Sequence, residues 1–171
     1  NGLKVNGSAP GSAPAIAANV QRIFVAWSVG DGRNQICGQL LDENGGLLWS
    51  GEQDLNAKGG FVSDPSPHAV ADPSGPFYVT WISRPRDYSS LDYAIRVQCA
   101  GDEGNRLWGE NGLRVTSDGG TAQQAKPDIA VSEAGDVYTT WADGRNFDSD
   151  LSVSGVWTIY AHRHNSSGTP V

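Results

Sequence analysis

The sequence predicts an all-β protein assembled from repeated antiparallel sheets, on three observations. The chain holds 22 Gly and 9 Pro among 171 residues, spread along its length, which divides it into short segments separated by turns. β-Branched and aromatic residues alternate with other side chains in "IFVAW" (23–27), "FYVTW" (77–81) and "VYTTW" (137–141), the period of a half-buried strand. Those runs also hold the same place in a pattern that occurs three times, so the architecture is modular.

Each unit opens on a Pro-led apolar segment, the expected first strand. A turn and the alternating run ending in Trp follow: "PAIAANVQRIFVAW" (14–27), "PHAVADPSGPFYVTW" (67–81) and "PDIAVSEAGDVYTTW" (127–141). After a polar loop comes the third strand, with Ile36, Ile95 and Ile159 in register, in "QICGQLLDENG" (35–45), "AIRVQCAGDEG" (94–104) and "TIYAHRHNSSG" (158–168). The fourth strand is expected to run through a second Trp, in "GLLW" (46–49) and "NRLW" (105–108). Trp27 and Trp81 are 54 residues apart and Trp81 and Trp141 are 60 apart, so units of about 57 residues fill the chain as roughly 1–54, 55–110 and 111–171.

A lone four-stranded sheet cannot bury both faces, whereas radial stacking of such sheets as β-propeller blades does. A sandwich would account for the strands but not for the repeat. "NGLKV" (1–5) matches "NGLRV" (111–115), while the third unit stops at "SSGTPV" (166–171), short of its second Trp. The segment is therefore expected to be cut within a blade. Since propellers have about four to eight blades, the expectation is a single propeller segment of a ring of six or more blades, or half of a six-bladed ring closed by two copies.

The succession of Trp-x-Asp-Gly-Arg, Ile-Tyr-Ala-x-Arg and Gly-x-Leu-Trp-x-x-Asn-Gly-Leu-x-Val resembles a family of secreted bacterial β-propeller repeat proteins, in three copies over nearly the whole chain. More distantly it resembles sialidase-type propellers with Asp-box turns. The nearest stretch to such a box is "DENGGLLW" (42–49), with Asp42, Asn44, Gly46 and Trp49 in the key places, while "GDEGNRLW" (101–108) keeps Glu103 and Trp108. An Asp box is a fold-stabilising turn and brings no catalytic role with it. The resemblance implies an exported, extracellular or cell-surface protein.

A formal charge of −7 argues against nucleic acid or anionic membrane as partner, and no apolar run approaches the roughly 18 residues of a membrane span. The sequence contains no Met, which reads as a processed or excerpted chain. Cys37 and Cys99 fit neither a metal spacing nor a disulfide framework. They fall on equivalent strands of neighbouring units, and packed sheets stand about 10 Å apart, beyond the roughly 7 Å a disulfide tolerates between Cα atoms. Free, buried thiols are expected.

The loops after each Trp carry the most chemistry: "WSVGDGRNQ" (27–35), "WISRPRDYSS" (81–90) and "WADGRNFDSD" (141–150). Asp31 and Arg33 match Asp143 and Arg145, and the middle loop offers Arg84, Arg86 and Asp87 in another order. A feature supplied by every unit reads first as packing, with charge-assisted Asp–Arg pairs between blades. The functional reading gathers Asp31, Arg33, Arg84, Arg86, Tyr88, Asp143 and Arg145 on one propeller face as a ligand-binding ring for a glycan or protein. Aromatic faces of Tyr88, Tyr93, Trp81 or Trp141 would be available to stack a sugar, against the view that Trp27, Trp81 and Trp141 are core.

Asp143, Asp148 and Asp150 could offer oxygen ligands to calcium, although the spacing matches no EF-hand and a solvated acidic loop is the default. His162 and His164 project from one face of a strand, but two ligands without a third do not make a zinc site, and with His68 the trio reads as incidental. No Gly-x-Ser-x-Gly or His-Glu-x-x-His motif is present, so no catalytic residue and no obligatory cofactor follow. Three function classes remain: a noncatalytic propeller scaffold for protein or glycan contacts, a lectin-like oligomer, and a fragment of a sialidase-type glycoside hydrolase. Equivalent loops in every unit favour the first two.

Overall fold

The computed structural model describes residues 2–7, 10–30, 35–57, 61–63, 66–73, 75–85, 93–116, 124–144 and 157–171, with the backbone alone for 61–63 and 84–85. These residues form antiparallel strands and no helix. The first sheet has the order β1 (Gly11–Ala18), β2 (Arg22–Val29), β3 (Gln35–Asp42), β4 (Gln53–Asp54). In the second, β5 (Phe61–Ser63) and β6 (His68–Ala71) both pair with β7 (Phe77–Pro85), followed by β8 (Ala94–Ala100) and β9 (Leu113–Arg114). The third runs β10 (Gln124–Val131), β11 (Val137–Asp143), β12 (Thr158–His164).

One hairpin turn recurs in all three sheets. Gly45, Gly104 and Gly168 take φ of +83°, +82° and +83°, a conformation that only glycine adopts cheaply. Their N–H groups donate to Asp42, Gly101 and Asn165 carbonyls at 3.0, 3.0 and 2.9 Å. Asp42 and Asn165 also fold their side chains over the turn. Asp42 Oδ1 accepts from the Asn44 and Gly46 amides, each at 2.8 Å, and Asn165 Oδ1 from those of Ser167 and Thr169 at 3.1 and 2.9 Å.

After that turn the chain leaves the ladder earlier than the sequence suggests. Trp49 and Trp108 lie in the connections, and the fourth strands are the two-residue strands Gln53–Asp54 and Leu113–Arg114. The physical reason is a side chain that substitutes for the ladder. Gln39 Oε1 accepts from the Trp49 amide at 3.3 Å and Gln98 Oε1 from the Trp108 amide at 2.9 Å. Residues 2–5, the counterpart of "NGLRV", form no strand, whereas Leu113–Arg114 does.

The first strands are kinked at their prolines. Ala13 and Lys126 have φ of 47° and 50°, and the pairing register shifts between Ser12 and Ala15 and between Ala125 and Asp128. Pro14 and Pro127 follow these residues and cannot donate to a neighbouring strand, so the ladder bulges around them. In the second sheet Pro67 falls between β5 and β6, where the first strand is divided.

The sheets pack face to face around two clusters. Between the first and second, Phe24, Ile36, Leu40 and Trp49 meet Phe77, Val79 and Trp81, with the Phe24 and Phe77 rings stacked at 5.3 Å. Between the second and third, Tyr78, Ile95, Val97, Cys99 and Trp108 meet Val137 and Trp141. Trp27, Trp81 and Trp141 are all buried, as expected of core, and each faces backward along the chain. Trp81 packs on the first sheet, Trp141 on the second, and Trp27 beside Val5. Leu55 and Val115 stand in the place Val5 takes, their amides donating to Ile36 and Ile95 carbonyls at 2.7 and 2.9 Å. The agreement of Val5, Leu55 and Val115 fixes the repeat phase in three dimensions. Cys37 and Cys99 are buried thiols outside any disulfide, as their places in the repeat require.

Candidate functional site

Most of the ring expected from the loops lies outside the described residues: Asp31, Arg33, Arg86, Tyr88, Arg145, Asp148 and Asp150. The backbone of Arg84 is described, on β7 opposite Val62. Asp143 departs from the expectation of a solvent-facing ligand. It ends β11 fully buried, opposite Gln124, and its Oδ2 accepts the indole N–H of Trp141 at 3.3 Å. Strand pairing on both sides carries it inward, so its carboxylate serves the packing of Trp141. Among the described residues no group of three or more His, Cys, Asp or Glu is placed to hold a metal ion.

The structure instead brings forward a polar clamp that sequence reasoning missed. Gln39 and Gln98 lie opposite Val25 and Val79, both buried, and each amide group grips the segment around a second Trp. Gln98 Nε2 donates to Gly109 O at 2.7 Å and Leu55 O at 3.2 Å, so one side chain ties its own sheet to the preceding one. The same ladder position in the third sheet, opposite Thr139, holds His162. The signal was in the alignment, where Gln39, Gln98 and His162 fall three residues after the register Ile.

A second set of contacts joins neighbouring units at their hairpin ends. The Trp49 indole donates to the Asp102 carbonyl at 2.7 Å, Arg22 forms an ion pair with Asp102, and the Arg22 guanidinium lies 5.6 Å from the Phe77 ring centre. Asn19 Nδ2 donates to Asp72 and Gly75 carbonyls at 3.3 and 3.4 Å. Beside this seam runs an open groove of about 560 Å³ lined by Glu52, Asp54, Asn105, Arg106 and Glu110. With three carboxylates against one guanidinium, it suits cations or hydroxyl donors better than anions.

Three buried groups titrate abnormally. Burial pushes the Cys99 thiol up to about 12 and the neighbouring Tyr78 hydroxyl well above its usual range, so both stay protonated and inert at neutral pH. His164 is lowered, first by burial and then by the adjacent His162, whose ring centre is 4.4 Å away. His162 and His164 each bury an Nδ1 that has no hydrogen-bond partner among the described residues.

No protein-family model matches the chain, and no curated protein does. Among solved structures it is similar to the crystal structure of a thermostable family-43 glycoside hydrolase, at 12% sequence identity and a TM-score of 0.53. The match covers 96% of this chain and 51% of that one, so the chain spans about half the length of the enzyme it matches. At this identity the likeness is one of fold, and it extends over nearly all of the three-sheet array.

Proposed function

We propose that the chain is a run of β-propeller blades serving as a noncatalytic scaffold, exported from the cell, that presents its loops for protein or glycan contacts. The observation that carries this reading is the repeated use of the polar interior. Gln39 and Gln98 hold their own units and Asp143 accepts from the Trp141 indole, so these three buried polar groups serve architecture. The same use of Gln39 and Gln98 in two neighbouring blades suits a scaffold, because a catalytic centre draws different groups from different blades. The backward-facing Trp in each unit supports stacking of further blades, in a longer chain or in a second copy. The ring of Asp31, Arg33, Arg84, Arg86, Tyr88 and Arg145 remains part of this proposal as the contact surface, and Asp148 and Asp150 as calcium ligands.

The fold likeness favours one second reading, a fragment of a glycoside hydrolase. Two measurements separate the readings. Light scattering gives the assembly of the chain, and release of nitrophenol from a panel of aryl glycosides reports hydrolysis. A folded chain without turnover supports the scaffold. Turnover that follows the chain through purification overturns it in favour of the enzyme fragment.

A further inference from the structure

Two positions that differ from unit to unit point to a task the repeat does not set. They flank the proline of each first strand. The residue before it is Ala13, Ser66 or Lys126, and the residue after it is Ala15, His68 or Asp128. The four polar residues of the second and third units converge on one cleft of about 520 Å³, where Ile82 and Pro127 supply an apolar wall. His68 and Asp128, 60 residues apart in sequence, join across the two sheets, with Nδ1 of His68 3.3 Å from Oδ1 of Asp128. Asp128 Oδ1 also accepts its neighbour's amide, from Ile129 at 2.9 Å, which fixes the carboxylate. Both side chains remain open to solvent, at 49% and 73% exposure, and so accessible to a ligand.

We propose that this cleft binds a neutral saccharide through a pair of adjacent hydroxyl groups. The donor and acceptor pattern selects that class. With Nδ1–H donating to Asp128, a neutral His68 ring presents Nε2 as an acceptor, and Asp128 is acceptor only. An anion would be drawn by the Lys126 ammonium but would meet the Asp128 carboxylate and the Nε2 lone pair beside it. Hydroxyl groups donate to Nε2 and Asp128 and accept from the Lys126 ammonium. Ile82 and Pro127 suit the C–H face of a sugar ring.

The test is proton saturation-transfer NMR on the folded 171-residue chain with D-galactose, D-mannose and L-arabinose, and citrate as an anion of similar size. Transfer to at least one sugar is expected, with a shift of the His68 ring resonances in the unmodified chain. Asp128→Asn and Lys126→Gln should each weaken binding about tenfold or more, as loss of a charge-assisted hydrogen bond does. Lys4→Gln, at an exposed position of the first unit, should leave it unchanged. A folded chain that binds no sugar overturns the proposal, as does binding that leaves the His68 resonances unmoved, survives both substitutions, or prefers citrate. The proposal rests on the scaffold reading for its noncatalytic character, and the two fail separately. Absence of sugar binding removes the site and leaves the scaffold, whereas aryl-glycoside turnover removes the scaffold and leaves the site.

Discussion

Gln98 accepts the backbone N–H of Trp108 at 2.9 Å while its own amide donates to Gly109 O at 2.7 Å and Leu55 O at 3.2 Å. The side chain is fully buried and also receives the Cys99 amide at 3.1 Å, so truncation takes this partner from three buried backbone groups, those of Leu55, Cys99 and Trp108. Gln98→Ala is expected to cost about 3 kcal/mol in urea unfolding, since each orphaned buried group costs on the order of 1 to 3 kcal/mol before relaxation. Gln39→Ala should cost less, because Gln39 makes longer contacts with Trp49, 3.4 Å to the carbonyl and 3.3 Å from the amide. Equal losses would argue against the clamp.

The hairpin glycines separate two kinds of constraint. A methyl group on Gly45 would approach nothing nearer than Leu3 at 4.0 Å, so Gly45→Ala meets only the penalty of φ +83°. About 1 kcal/mol is expected. At Gly104 the same methyl group would collide with the Gln53 side chain in addition to facing φ +82°. Thermal unfolding should rank Gly104→Ala below Gly45→Ala, and the reverse order would show that Gln53 moves aside at no cost.

His164 makes stability depend on pH in a definite direction. Its folded-state value lies below the usual imidazole value, so between the two the unfolded chain binds more protons than the native one. Its contribution is complete above about pH 6.5, the unfolded value, and is lost progressively as pH falls below it. Leu41 holds the matching place in the first sheet, opposite Leu47 as His164 is opposite Pro170. His164→Leu should therefore flatten the decline of unfolding free energy between pH 7.5 and 5.5. Parallel profiles for the two proteins would remove His164 as the cause.

Cys99 should resist modification in the native state. With its thiol pushed up to about 12, roughly one molecule in ten thousand carries a thiolate at pH 8, and the group is buried as well. Ellman's reagent should label Cys37 and Cys99 promptly in urea and slowly without it. Stoichiometric labelling of the native chain within a minute would place at least one of them at the surface.

The sequence was most legible where one side chain repeats at one phase. The Trp at positions 27, 81 and 141, the register Ile and the proline of each first strand located the sheets, and the pairing of Trp27 with Cys37 and Trp81 with Arg96 follows that frame. The fourth strands escaped because Gln53–Asp54 has no alternation to detect, and because Trp49 looks like a strand residue while its amide is held by Gln39. The cleft was harder still. His68 and Asp128 meet only after two sheets pack, and their sequence signature is a departure from Ala15 at one aligned position. The loop ring was proposed from Asp and Arg spacing, yet Asp143, its described member, is drawn inward by the strand that carries it.

The bulges at Pro14 and Pro127 have a consequence for life in a crowded solution. β1 and β10 are edge strands, and an edge strand with regularly spaced free N–H groups can recruit a strand from another molecule. Each proline removes one such donor, and the positive φ of Ala13 and Lys126 bends the strand out of a flat line. A protein made of modular sheets would otherwise offer a template to every misfolded copy of itself. The same kink that shapes each first strand makes its edge a poor seed for aggregation.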